Sequence, residues 1–212
     1  PTDSLSAIAE ETLFRTFEEK LLSENQSPYA KTDPLNAYGA GLPAGILSKA
    51  LGLGGDSFTL DAACASSLYA MKLAVDELVS GRAHTMLCGG VSRPSCLYTQ
   101  MGFSQLRAIS PSGRSAPFDA DADGLVVGEG AGIFVLKRLS DALAEKRTIY
   151  AVIRGIGLSN DMGGRLLAPT SEGQLRAMGA AYEAAGWQPQ DVDHIECHAT
   201  GTPVGDAVEF ES

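Results

Sequence analysis

Cys64 lies in Asp61-Ala62-Ala63-Cys64-Ala65-Ser66-Ser67, a run of small residues between an extended apolar stretch, Ser57-Phe58-Thr59-Leu60, and a helical one that opens at Leu68. The pattern predicts a thiol at a strand-to-helix turn. Backbone N–H groups at a helix start have no intrahelical partners and form the positive end of the helix dipole, so a thiolate beside them is favoured. The same groups can stabilise the oxyanion of an attacked thioester. An arbitrary cysteine among small residues is more often inert packing. What decides against that reading is a second segment far along the chain, His194-Ile195-Glu196-Cys197-His198-Ala199-Thr200-Gly201-Thr202-Pro203-Val204-Gly205-Asp206, in which a short apolar strand ends in a histidine and a Thr/Gly turn.

Between them stand Pro111-Ser112-Gly113-Arg114-Ser115-Ala116-Pro117-Phe118-Asp119 and Asp123-Gly124-Leu125-Val126-Val127-Gly128-Glu129-Gly130-Ala131-Gly132. In this order the four segments resemble the β-ketoacyl synthases, the condensing enzymes of fatty-acid and polyketide synthases, and the resemblance is nearly continuous from about Pro43 to Ser212. Cys64-Ala65-Ser66-Ser67 and the arginine- and aspartate-rich stretch 111–123 look more like the type I, modular synthases than the stand-alone enzymes. The resemblance implies an α/β chain of thiolase-like fold, an αβ sandwich of two similar halves, incomplete at both ends. The implied division is an N-terminal helix and loop at 1–36 that belong to the first half, an N-terminal ketosynthase half with the nucleophile at 37–147, and the start of the C-terminal half at 148–212. A first strand before residue 1 and a second catalytic histidine beyond residue 212 are expected on the same ground.

The chemistry implied by the resemblance is decarboxylative condensation. Cys64 takes an acyl group from a carrier thioester, splitting a difficult carbon–carbon bond formation into capture and condensation. A malonyl-type thioester then loses carbon dioxide and its enolate attacks the acyl carbonyl, with His198 among the donors to the developing oxyanion. Thr200 and Thr202 correspond to residues that hydrogen-bond the phosphopantetheine arm. For Glu129 two readings stand side by side, support of the catalytic histidines and a carboxylate that fixes a glycine-rich turn. No cofactor or metal is expected to be bound directly; phosphopantetheine arrives on an acyl carrier protein, the expected partner of a homodimer. The alternatives are a thiolase-like acyltransferase without decarboxylation, against which His198-Ala199-Thr200-Gly201-Thr202-Pro203 argues, and a catalytically incompetent scaffold or dimerisation fragment, against which the retained nucleophile argues.

Composition is compatible with this. The 212 residues are 44% apolar with 24 glycines, enough to bury a sizeable core in one domain or a tight pair of subdomains. A net charge of −10 argues against non-specific nucleic-acid binding. No apolar run reaches membrane-spanning length and the start, Pro1-Thr2-Asp3-Ser4, has no signal-like character, which predicts a cytoplasmic protein. The four cysteines show no spacing of a disulfide framework or zinc site.

The elements that must position these residues read as strands alternating with helices. Leu5, Ile8, Leu13 and Phe17 predict an amphipathic helix to about Leu22, and 25–36 a loop. Leu68, Met71, Val75 and Leu78 predict a helix that Gly81 ends. Thr85–Val91, Ile133–Leu136 and Ile149–Ile153 read as strands, Asp141–Lys146 as a short helix, and Ser171-x-x-Gln174 as a capping box for a helix stopped by Gly186. Such an alternation predicts a mostly parallel, covered sheet. Gly128-Glu129-Gly130-Ala131-Gly132 precedes a strand, so it is not a phosphate loop, which follows one. Cys197, beside His198, is expected to pack away from that imidazole, Cys88 and Cys96 to pack without chemistry, and His84 and His194 to be solvated at strand ends. Phe103 is as consistent with a core position as with an acyl tunnel, and Arg107 and Arg114 with local surface charge as with carrier docking.

Overall fold

The computed structural model describes residues 42–92, 97–163 and 168–212. The predicted N-terminal helix and the loop at 25–36 lie outside the described residues, as does Cys96. The chain divides into two compact units, Pro1–Met101 with Gly128–Lys137, and Gly102–Val127 with Arg138–Ser212.

The described part of the first unit is a helix–sheet pair. Helix α1 (Leu42–Leu51) stops at Gly52, whose φ of 64° is left-handed, and the Leu53 N–H returns to the Ser48 carbonyl at 2.9 Å. Helix α2 (Ser66–Val79) packs against strand β1 (Met86–Ser92). Its buried residues are Ala74 and Leu78; of the four positions that the apolar spacing predicts, Leu78 is buried, Met71 and Val75 are half-buried and Leu68 is exposed, and Lys72 pairs with Asp76 one turn on at 2.6 Å. That half-exposed ion pair contributes about 0.3–0.5 kcal/mol, so the helix depends on packing rather than on its charges. Gly81, at φ 76°, ends it as expected. Strand β1 pairs with β2 (Gly130–Leu136) in the register Cys88↔Phe134, with Cys88 buried. A Cβ at Gly90 would stand 3.2 Å from the Ser67 Cβ, so glycine there lets the first turn of α2 rest directly on β1.

The β1–β2 pair is antiparallel, which corrects the expectation of parallel strands here. The rule for parallel strands applies to a crossover folded back on its own sheet. The connection from β1 to β2 instead passes through α3 (Leu97–Gln105) and gives residues 102–127 to the other unit, so it is no such crossover. Strand β2 is apolar along its length, yet Ile133, Phe134 and Val135 are all exposed among the described residues, since a two-stranded sheet with one helix covers little of it.

In the second unit the chain at Ala108–Ser110 bridges to Leu125, with the Leu125 N–H donating to the Ala108 carbonyl at 2.8 Å and the Ser110 N–H to the Leu125 carbonyl at 2.9 Å. Buried Ser110 donates its hydroxyl to Asp123, and that bond, with help from Ser112, holds the Asp123 carboxyl below the usual carboxylate range. Helix α4 (Leu139–Ala144) lies two residues ahead of its expected place and begins with an Arg138–Asp141 pair at 2.7 Å. The expected strand at Ile149–Ile153 and the short strand before His198 form no ladder among the described residues. Both are apolar chain without a hydrogen-bonded neighbour there, and apolarity alone does not supply one. Helix α5 (Ser171–Ala185) ends at Gly186, φ 68°, as predicted, but its capping box does not form. Thr170 takes the N-cap position, and the Ser171 hydroxyl accepts a hydrogen bond from Ser212 at 2.9 Å instead of holding the helix N-terminus. Pro189–Asp191 forms a 3-10 turn, and α6 (Pro203–Glu211) closes the chain.

Gly157 and Gly179 make a test of this packing. A Cβ at Gly157 would collide with the backbone carbonyl of Ala177 on α5, whereas one at Gly179, inside the same helix, meets nothing within 4 Å. Gly157→Ala should therefore destabilise by about 1–3 kcal/mol, and Gly179→Ala should stabilise by about 0.5–1 kcal/mol through helix propensity. Urea unfolding of the two variants checks the pair, and equal effects would contradict the contact.

Candidate active site

The thiol turn is built from small residues because each must let the backbone fold on itself. The Asp61 carboxylate accepts the Ala63 N–H at 2.8 Å. Ser66 works in both directions, accepting from the Ala62 N–H at 2.9 Å and donating to the Ala63 carbonyl at 2.7 Å. These bonds hold Ala63 at φ 50°, a left-handed conformation that costs a non-glycine residue about 1–2 kcal/mol. The next residue is Cys64, exposed in a 3-10 turn, Ala63–Ala65, that runs directly into α2. The helix therefore starts two residues earlier than the sequence suggests, and the cysteine sits just ahead of it. Ala65 at the N-cap has no side-chain acceptor to offer the first-turn N–H groups, so the positive helix end faces the turn that carries the thiol. Glu129 belongs to the same unit, exposed immediately before β2.

The histidine turn belongs to the second unit and is organised by helix α6. Asp206 and Glu209 stand three positions apart, on one face of the helix, and both reach back to the turn that precedes it. The two carboxylate oxygens of Glu209 accept the N–H groups of His198 and of Ala199, the latter at 2.8 Å. Buried Asp206 accepts the Gly201 N–H at 3.0 Å and the Phe118 N–H at 2.7 Å. Ala199 is left-handed at φ 50° and Gly201 at φ 75°, so the chain reverses twice within three residues. The Gly124 N–H adds a bond to the Gly201 carbonyl at 3.0 Å. His198 is exposed at the start of this reversal. The Thr200 and Thr202 hydroxyls pair at 2.8 Å, and a Cβ at Gly205 would come within 2.5 Å of Thr202 Oγ1, so glycine there keeps room for both threonines over the helix start.

His198, Thr200 and Thr202 thus share one turn, while Cys64 and Glu129 lie in the other unit. Asp61, Ser66, Asp206 and Glu209 were not singled out by type and spacing. The signal for the last two was a pair of acids at helical spacing behind Thr202-Pro203, a helix-opening pair. Cys88 is buried and burial pushes its thiol up; Cys197 is half-buried, and that burial, with the Glu209 and Glu196 charges, pushes its thiol up too. His194 is exposed, 3.6 Å from Glu196, in keeping with a solvated role. Phe103 is half-buried, and Arg114 stands 3.9 Å from Asp119, a local surface pair. Among the described residues no helix is long and apolar enough to cross a membrane, and no group of three or more His, Cys, Asp or Glu could hold a metal ion.

The chain is similar to known proteins over most of its length. The family model for the beta-ketoacyl synthase N-terminal domain matches residues 7–142, and that for the C-terminal domain residues 150–212. A PKS-NRPS hybrid synthetase of Aspergillus niger is 44% identical over 78% of the chain, and a polyunsaturated fatty acid synthase component of Thraustochytrium 40% identical over 80%. A phenolphthiocerol/phthiocerol polyketide synthase component of Mycobacterium tuberculosis is 37% identical over the whole chain. The chain spans only 9%, 8% and 14% of these proteins respectively. Among solved structures, the PfaC keto synthase–chain length factor superposes with a TM-score of 0.81 at 50% identity, covering 85% of this chain and 20% of its own. A type II PKS acyl-carrier protein in complex with its ketosynthase matches with a TM-score of 0.83 at 25% identity over 98% of this chain and 53% of its own.

The contrast among the thiols yields an expected outcome. Brief treatment with iodoacetamide near neutral pH should label Cys64 ahead of Cys88 and Cys197, because alkylation requires the thiolate and access, and burial disfavours both at the latter two. Peptide mapping measures the order, and label appearing first at Cys197 would overturn the assignment.

Proposed function

The chain belongs to the β-ketoacyl synthase family, and from that premise we propose that it supplies the acyl-capturing thiol and a condensing histidine of a polyketide or fatty-acid synthase. The reaction is decarboxylative condensation of an enzyme-bound acyl thioester with a malonyl-type carrier thioester. The observation that carries the reading is the setting of Cys64, an exposed thiol on a left-handed turn ahead of a helix whose N-cap has no side-chain acceptor.

In the capture step the Cys64 thiolate attacks the acyl thioester carbonyl, the bond to the carrier sulfur breaks, and the departing thiolate takes up a proton. In the condensation step the malonyl-type group loses carbon dioxide, its bonding pair becomes an enolate, and the enolate carbon attacks the acyl carbonyl on Cys64. Sγ leaves as thiolate and a β-ketoacyl thioester remains on the carrier. His198 hydrogen-bonds the enolate oxygen as charge develops there. Thr200 and Thr202 hold the phosphopantetheine arm, a role supported by their paired hydroxyls on the same turn. For Glu129 both readings stand, support of the catalytic histidines and a carboxylate that fixes the glycine-rich turn before β2. The arm is brought by an acyl carrier protein, a reading supported by the similarity to a carrier–ketosynthase complex, and the proposal needs no directly bound cofactor. We assign residues 1–36 and 37–147 to the N-terminal ketosynthase half and 148–212 to the start of the C-terminal half of a cytoplasmic homodimer.

His198→Ala in the complete protein that carries these residues should leave acylation of Cys64 largely intact and slow decarboxylation by on the order of a hundred- to a thousand-fold, about 3–4 kcal/mol at the transition state. Mass measurement of the acyl-enzyme and release of labelled carbon dioxide separate the two steps. Equal loss of both would make His198 the base of the cysteine instead; acyl transfer with no carbon dioxide released by the unsubstituted protein would point to an acyltransferase that does not decarboxylate.

A further inference from the structure

We propose that Ser66 is a positioning residue for the nucleophile, and that it works by fixing the peptide group that joins Ala63 to Cys64. The Ala63 carbonyl accepts the Ser66 hydroxyl at 2.7 Å and the Ser66 N–H as well. The same hydroxyl accepts the Ala62 N–H at 2.9 Å, so one residue after the cysteine engages the two before it. Serine is a favoured N-cap, yet the N-cap of α2 is Ala65, and the serine one place on turns its hydroxyl back out of the helix. In a trans peptide the N–H points opposite to the C=O. With the Ala63 carbonyl held towards Ser66, the Cys64 N–H is therefore aimed away from it.

The need for it comes from Ala63. Its φ of 50° is the angle between two peptide groups that different side chains hold. Asp61 holds the one before, through the Ala63 N–H at 2.8 Å, and Ser66 holds the one after. Without the second anchor the strained alanine would relax towards negative φ by swinging the 63–64 peptide, and the Cys64 N–H would swing with it. The consequence is specific to acyl chemistry. Attack on a thioester puts negative charge on the carbonyl oxygen beside the nucleophile, and a backbone N–H stabilises that charge only when it is already aimed there. Alkylation by iodoacetamide forms a bond from the same Sγ to carbon and expels iodide, with no oxyanion at any stage. The ratio of the two rates therefore reports the direction of the N–H and not the reactivity of the sulfur.

The positioning role rests on the reading of Cys64 as the acyl-capturing thiol, whereas the hydrogen bonds do not, and the test keeps them apart. In the complete protein that carries these residues, Ser66→Val is compared with Ser66→Thr, two side chains of the same shape of which only threonine keeps the hydroxyl. Ser67→Ala is the control, since the Ser67 hydroxyl is in none of these bonds. Ser66→Val should acylate Cys64 from an acyl N-acetylcysteamine thioester on the order of a hundredfold more slowly, while its alkylation by iodoacetamide changes little. Ser66→Thr should restore most of the acylation. Amide hydrogen exchange at Ala62 should accelerate by roughly five- to tenfold in Ser66→Val, as the loss of one hydrogen bond requires. Where circular dichroism shows that the valine variant does not fold, Ser66→Ala takes its place. Equal slowing of acylation and alkylation would overturn the orienting role, as would full acylation without the hydroxyl or a threonine variant as slow as the valine one. Unchanged exchange at Ala62 would overturn the hydrogen bond beneath it. A Cys64→Ala protein that takes up the acyl group at the full rate would sink the functional reading and the positioning role together, while the exchange measurement still decides the hydrogen bond.

Discussion

The second unit depends on one physical requirement, that the N–H groups of a tightly reversed turn find acceptors. Residues 198 to 201 reverse too sharply to belong to a helix or a strand, so their amides cannot be satisfied by a regular neighbour. Buried or half-buried amides left without partners cost about 1–3 kcal/mol each. Asp206 and Glu209 meet that demand from a single helix face, and because Asp206 also takes the Phe118 N–H, the same carboxylate ties the distant 116–118 loop to the turn. Helix α6 is placed by Pro203 at its first position and by the glycine at 205, which lets the threonines pack over its start. The order of cause therefore runs from helix to carboxylates to turn, and only then to the histidine.

The thiol turn solves the same problem with different residues. There a carboxylate and a hydroxyl, Asp61 and Ser66, pin the backbone, and again the strained residue is an alanine next to the reactive side chain. Two left-handed alanines, at 63 and 199, each cost about 1–2 kcal/mol, and each is over-determined by side chains that hold the adjacent amides. Strain of this kind persists where the surroundings fix it, which is commonly at functional positions. Its effect is to set the direction of the neighbouring Cα–Cβ bond more narrowly than a relaxed loop would.

What could be read from the sequence followed from how local the cause was. Helix α2, the short α4 and the glycine ends at 81 and 186 depend on spacing and on one residue's φ, and they are present. Strand β1 was legible because its apolar run lies against α2. Ile149–Ile153 is also an apolar run but has no paired neighbour among the described residues, a distinction that apolarity does not contain. The capping box failed because Thr170, not Ser171, takes the N-cap position; the Ser171 hydroxyl instead accepts from Ser212, forty-one positions away. The antiparallel sense of β1 and β2 was hidden for a related reason, since it depends on where the long connection goes. Cys64, His198, Thr200 and Thr202 were legible as a pattern, whereas Asp206 and Glu209 read as ordinary helix acids until the turn behind them was seen to need acceptors.

The acid that braces the histidine turn also affects the cysteine beside it. The Cys197 thiol is pushed up first by its half-burial and then by the charges of Glu209 and Glu196, which disfavours the reactive thiolate. Cys88 reaches the same state by burial in the β1 ladder alone. The surroundings of both thus disfavour the thiolate. Cys64 differs from both in being exposed ahead of a positive helix end. Glu209 thus acts twice within the second unit: it accepts the His198 and Ala199 N–H groups, and its charge adds to the burial that pushes the Cys197 thiol up.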